Sequence, residues 1–208
     1  MGLVYANQGD FDRAIEMQDK SVEFNLKVGD EQGAATAYNN LGLVYFRQSR
    51  LDQAAEMYRK SLEIAKRLGQ EANAAGIYGN LGNIYAEQGD PERAIKMFDE
   101  TLAIHERVGD ELDIAQDYGN LGICYRQKGE VPRALEFYDK SLAITKRTGD
   151  WHSAAMTYFN LGSLYRDEMG DANEACANFE KAKALHEQVG DAPSAQQAAR
   201  ALKDLSHP

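Results

Sequence analysis

Between residues 30 and 48 the large apolar side chains recur three and four positions apart. Tyr38, Leu41 and Tyr45 thereby share one face of a helix with 3.6 residues per turn. From about Leu51 to Leu68 a second run sets Ala54, Ala55, Tyr58, Leu62 and Ile64 along one side. The two read as a pair of helices, and the pair repeats. Asn-Leu-Gly stands at Asn40-Leu41-Gly42, Asn80-Leu81-Gly82, Asn120-Leu121-Gly122 and Asn160-Leu161-Gly162, 40 residues apart each time. A tyrosine follows each glycine (Tyr45, Tyr85, Tyr125, Tyr165) and another precedes it (Tyr38, Tyr78, Tyr118, Tyr158). Downstream come Ala54, Ala94 and Ala134, with Ala175 displaced by one, and then Tyr58, Phe98, Tyr138 and Phe179.

Turn residues divide the chain at the same period. Gln88-Gly89-Asp90-Pro91 and Lys128-Gly129-Glu130 separate first helix from second, while Gly29-Asp30, Gly109-Asp110, Gly149-Asp150 and Gly190-Asp191 separate one pair from the next. Glycine supplies the left-handed residue past a helix end, and aspartate then caps the orphan N–H groups of the next helix. One extra residue between Arg166 and Asp171 shifts the last pair, and a turn is where such an insertion costs least. The pattern predicts an all-α solenoid of antiparallel helix pairs with ten helices and no strand. Its expected organisation is one domain over 1–208. A truncated first pair (1–28) precedes full pairs at 30–68, 70–108, 110–148 and 150–189, and a closing helix occupies 194–205. Gly2, Leu3, Val4 and Tyr5 match Gly42 to Tyr45, so the chain opens midway through a first helix. Gln18 stands where the second helix elsewhere has its aromatic. In the closing helix Ala199 replaces the tyrosine and Lys203 the glycine, the polar substitution expected of a terminal cap.

Tyr38, Leu41, Gly42, Tyr45, Ala54, Tyr58 and Ser61, with their counterparts, resemble the tetratricopeptide repeat signature over essentially the whole chain. The usual unit has 34 residues and ends in proline; this one has 40 and lacks it, as in the repeats of kinesin light chains, Pins-type adaptors and many bacterial adaptors. The resemblance implies a right-handed superhelix whose first helices line a concave face that binds protein partners. The glycine of each Leu-Gly then has a packing role, admitting the second helix of its own pair, because a helical glycine otherwise costs about 1 kcal/mol against alanine.

Composition narrows the partners. A net charge of −10 with no Lys/Arg run disfavours nucleic acid. No apolar stretch reaches the length of a membrane span, and no secretory signal is visible, so the expected location is cytoplasmic without membrane insertion. Cys124 and Cys176 show no metal spacing and read as small core residues. No phosphate-cradling glycine loop occurs, and acidic pairs such as Asp99-Glu100 read as solvated faces. Of His105, His152, His186 and His207, the first and third share a repeat position held elsewhere by Asn25, Ala65 and Thr145. A slot that accepts alanine reads as surface. A binding protein with no catalytic residue, metal or cofactor is expected.

Gly33, Thr36, Asn40, Leu43 and Arg47 lie within about 80° of one another on their helix, opposite Tyr38 and Tyr45. Their counterparts include Gly76, Asn80 and Asn83; Gln116, Asn120 and Ile123; and Met156 and Asn160, with Phe46, Gly79, Gly119, Arg126, Phe159 and Arg166 along one edge. Asn40, Asn80, Asn120 and Asn160 form a ladder of amides, each able to donate to and accept from an extended peptide backbone. In tetratricopeptide relatives an asparagine here contacts ligand backbone; the other reading is that each bonds a neighbouring helix and holds the repeats in register. Leu43, Phe46, Ile123, Met156 and Phe159 offer apolar anchors. Arg47, Arg126 and Arg166 offer charge to an acidic side chain. Gly76, Gly79 and Gly119 leave room for a ligand. The lysines of the chaperone-tail clamp are absent from its slots, which hold Asn39, Gly79, Gly119 and Phe159. Two further readings stay open: a homo-oligomeric scaffold joined through Leu3, Val4 and Tyr5, and the sensor part of a larger regulated enzyme or transcription factor.

Overall fold

The computed structural model describes residues 2–206, with the side chains of residues 4–205. Its helices are α1 (Gly2–Asn7), α2 (Phe11–Val28), α3 (Glu31–Arg47), α4 (Leu51–Arg67), α5 (Glu71–Glu87) and α6 (Pro91–Val108), followed by α7 (Glu111–Gln127), α8 (Val131–Thr148), α9 (Trp151–Leu164), α10 (Ala172–Gln188) and α11 (Ala192–Ser206). There are eleven α-helices among the described residues, and no strand. The expected count of ten is one short of its own organisation, since a truncated pair, four full pairs and a closing helix already amount to eleven. The chain forms two compact units, residues 1–104 and 105–208, each a run of antiparallel helical hairpins.

The repeated glycine works as a seat for an aromatic ring. In the first unit a Cβ on Gly42 would stand 2.8 Å from the Tyr58 ring, and one on Gly82 would stand 2.7 Å from Phe98. In the second unit the distances are 2.5 Å from Gly122 to Tyr138 and 2.7 Å from Gly162 to Phe179. All four rings are almost wholly buried. Tyr138 adds a complication, since its hydroxyl is buried with no hydrogen-bond partner. Burial pushes the phenol pKa upward, and Phe98 and Phe179 fill the equivalent seats without an oxygen. Tyr138→Phe should therefore stabilise the protein by about 1 kcal/mol, the cost of one unmet buried hydroxyl, as read by urea denaturation.

Aspartates cap as the turns predict: Asp30 accepts from Gly33 N at 2.9 Å, Asp150 from Ser153 N at 3.1 Å, and Asp191 from Ser194 N at 3.2 Å. The extra residue of the last pair does not sit in the turn. It widens the end of the first helix into a π-helical stretch, Tyr165–Met169. The closing bond survives: Asp171 N donates to Tyr165 O across six residues, where Asp90 N to Tyr85 O and Glu130 N to Tyr125 O span five. Keeping that bond, with Gly170 left-handed, forces the insertion back into the helix.

Two core assignments change. Cys124 is fully buried, but Cys176 is half-buried, with its thiol 3.8 Å from Glu180 Oε1. Tyr5 is not left bare: it packs with Phe11 and Ile15 against Ala6, Ala14 and Val44. Val4 is 57% exposed, and the Leu3 side chain lies outside the described residues, as does His207.

Candidate binding grooves

Among the described residues, a groove lies between successive first helices in each unit. In the first unit it occupies about 320 Å³ and is walled by Thr36 and Asn39 of α3 and by Asn73, Gly76 and Asn80 of α5. Ser61 and Ala65 of α4 form its floor. The second unit has a groove of about 250 Å³, walled by Gln116, Asn120 and Ile123 of α7 and by Met156 and Asn160 of α9, above Ser141 and Thr157. Small second-helix residues thus complete both floors. Their signal is the recurrence of Ser61, Thr101, Ser141 and Ala182 three residues after the buried aromatic, which a search confined to first helices passes over.

The candidate residues divide. Asn80 belongs to the first groove, and Asn120, Ile123, Met156 and Asn160 to the second. Asn40, Leu43, Phe46, Arg47 and Asn83 lie outside these two grooves, as do Arg126, Phe159 and Arg166. Phe159 leans on Phe179, with ring centres 5.3 Å apart, and belongs mainly to the core. The arginines are already engaged. Arg126 Nη2 bonds Asp167 Oδ2 at 2.8 Å and Arg126 Nε lies 3.5 Å from Glu168, while Arg166 Nε bonds Asp167 Oδ1 at 2.6 Å. The Arg166 guanidinium, with burial opposing it and Arg126 assisting, holds the Asp167 carboxyl below the usual carboxylate range. Arg47 donates to Asn7 Oδ1 at 2.8 Å.

The four ladder amides differ from these arginines. Asn40, Asn80, Asn120 and Asn160 are half-buried, and among the described residues none of their side chains makes a hydrogen bond. Gly76 and Gly79 also face open space, with no atom within 4 Å of where a Cβ would stand. Gly79→Ala should accordingly raise stability by about 1 kcal/mol through helix propensity alone, seen as a higher denaturation midpoint.

The histidine slot is interior, not surface. His186 is 3% exposed, Ala65 1% and Thr145 0%. Ala65 holds the slot at the floor of the first groove, and elsewhere the slot takes an imidazole. In the second unit His105 Nδ1 lies 2.7 Å from Asp117 Oδ2, whereas in the first Ala65 belongs to a copy with Ile77 at the aspartate's position. Asp117 is 4% exposed, and burial pushes its carboxyl up to about 6 despite the His105 contact.

The tetratricopeptide repeat model matches residues 1–67, 73–147 and 113–188, nearly the whole chain. The chain belongs to the tetratricopeptide repeat family. A search of curated proteins finds no significant match. Among solved structures, aspartyl phosphate phosphatase F from Bacillus subtilis superposes with a TM-score of 0.82 at 15% identity, over 98% of this chain and 56% of that one. BtubC (BKLC) from P. vanneervenii gives 0.69 at 21%, over 94% and 91%. A putative kinesin light chain from Podosopora anserina, with nearly identical TPR-like repeats, gives 0.63 at 15%, over 99% and 91%. These likenesses concern the all-α repeat fold. No helix among the described residues is long and apolar enough to cross a membrane.

Proposed function

We propose that this tetratricopeptide repeat chain is a protein-interaction scaffold that captures an extended peptide of a partner protein. The observation that carries this reading is the set of unbonded ladder amides. A residue holding repeats in register would bond a neighbouring helix, and none of the four does so among the described residues. A half-buried carboxamide with free donors and acceptors suits a ligand backbone. Ile123 and Met156 supply apolar contact in the second groove. Arg126 and Arg166 are neutralised within their own unit, so the fitting peptide alternates apolar side chains with ones that need no cationic partner. An array of synthetic peptides of that pattern and of scrambled controls tests the reading. Residue-specific photo-crosslinking of the tightest binder should label α7 and α9 beside Asn120 and Met156. Labelling confined to the outer faces of α8 and α10 would oppose it.

A homo-oligomer is the second reading. On α2, Met17, Phe24 and Val28 share a face and are 36%, 64% and 56% exposed, whereas Ile64, the counterpart of Phe24, is 9% exposed. Apolar patches of this kind mark contact surfaces. Light scattering should show a dimer or larger species that Phe24→Glu dissociates; a monomer across the same concentrations would exclude it.

A further inference from the structure

We propose that His152, His186 and Asp191 form a binding site for a divalent first-row transition metal, zinc foremost, which ties the ends of one helical hairpin to the helix that follows. One ligand atom from each residue lies within 4.8 Å of the others. The three come from separate elements: His152 from the first turn of α9, His186 from the last turn of α10, and Asp191 from the N-cap of α11.

His186 gives the strongest indication. It is 3% exposed, and its Nδ1 is buried with no hydrogen-bond partner, although Asp191 Oδ2 lies 3.3 Å away. Buried polar atoms rarely stay unmatched. The repeat itself supplies a comparison. His105 occupies the same slot two hairpin pairs earlier, and its Nδ1 meets Asp117 at 2.7 Å. The residue corresponding to Asp117 in the last copy is Ala198, fully buried, so His186 has no such partner. In place of it stand a second imidazole, edge-on with ring centres 6.0 Å apart, and a carboxylate.

The Asp191 oxygens divide between two tasks. Oδ1 accepts from Ser194 N at 3.2 Å and caps α11, while Oδ2 faces His186. Burial favours the neutral His186 ring, assisted by His152 and opposed by Asp191, and the neutral ring is the form that ligates metal. Tetrahedral bonds of about 2.1 Å bring ligand atoms to roughly 3.4 Å of one another. The exposed His152 ring can close the remaining distance by side-chain rotation. Imidazole with carboxylate suits zinc, copper or nickel and disfavours magnesium and calcium. Three protein ligands leave a fourth position for water.

The test titrates the full chain with Co²⁺ and Zn²⁺ after removal of bound metal, reading Co²⁺ visible absorption, calorimetric stoichiometry and the melting temperature. One equivalent should bind, with the absorption of a four-coordinate nitrogen–oxygen site and a rise in melting temperature. His152→Ala, at an exposed position that leaves the fold intact, should weaken binding roughly tenfold or more, since losing even an outer-shell partner acts on that scale. Asp191→Asn, which retains a cap, should weaken it likewise. Absence of saturable binding would overturn the assignment, as would equal affinity in wild type, His152→Ala and Asp191→Asn.

Discussion

Phe98→Ala should lower the unfolding free energy by about 3–5 kcal/mol, the range for emptying a fully packed aromatic site. Phe98 is 2% exposed, and its ring lies against Gly82, where an added Cβ would approach three ring carbons at 2.7 to 3.0 Å. The reverse change is informative too. Gly82→Ala should cost about 1–3 kcal/mol by overpacking, although alanine is the better helix former by about 1 kcal/mol. The same substitution at Gly79, three residues earlier on the same helix, should stabilise. Opposite signs on one helix separate packing from propensity. Combining Gly82→Ala with Phe98→Leu should cost less than the two single changes together, because the smaller side chain yields the space. Additive losses by urea denaturation would show that the glycine and the ring do not meet.

The second large effect belongs to Asp117. Its folded pKa is raised to about 6 from an ordinary 3.8, chiefly by burial, with Asp113 adding to the rise and His105 opposing it. Between those values the folded chain holds a proton that the unfolded chain has released. Its contribution is therefore most favourable below about pH 4 and is lost as pH rises through about 6. Asp117→Asn removes the titration. The melting temperature of wild type relative to Asp117→Asn should fall as pH rises through this window. Asp117→Ala should cost about 1–3 kcal/mol at neutral pH, because it strands the His105 Nδ1 in a largely buried position. A difference between wild type and Asp117→Asn that does not vary with pH would show that the carboxyl titrates normally.

The hairpin repeat was legible because it rests on local rules. Tyr38, Leu41 and Tyr45 at helical spacing, the Leu-Gly seats and the Gly-Asp turns each fix a short segment, and the period multiplies the signal. Features set by contacts between copies were harder to read. The slot of His105 and His186 looks like surface because Ala65 fills it, yet Ala65 is buried on the floor of the first groove. The residue 12 positions on differs between copies, Asp117 for His105, Ile77 for Ala65 and Ala198 for His186. The insertion near Arg166 reads as a longer turn, but the conserved bond from Asp171 N to Tyr165 O pushes it into a π-helical stretch. Angular position placed Arg126 and Arg166 along the groove edge. It could not show that Asp167 and Glu168, carried by the same stretch, neutralise them. The asparagine ladder was legible as a stripe, and its lack of bonds among the described residues became visible only with the neighbouring helices in place.

The ladder also gives the most direct measurement. A fluorescent peptide taken from the array is titrated against wild type and against the double variant Asn120→Ala, Asn160→Ala, both changes lying in the second groove, and both proteins are melted in parallel. If the amides grip ligand backbone, affinity should fall by about 1–3 kcal/mol, the cost of leaving polar groups of the bound peptide unmatched, while the melting temperature stays within error of wild type. Unchanged affinity with a lowered melting temperature would contradict the account, because the asparagines would then hold the repeats together and the peptide would bind elsewhere.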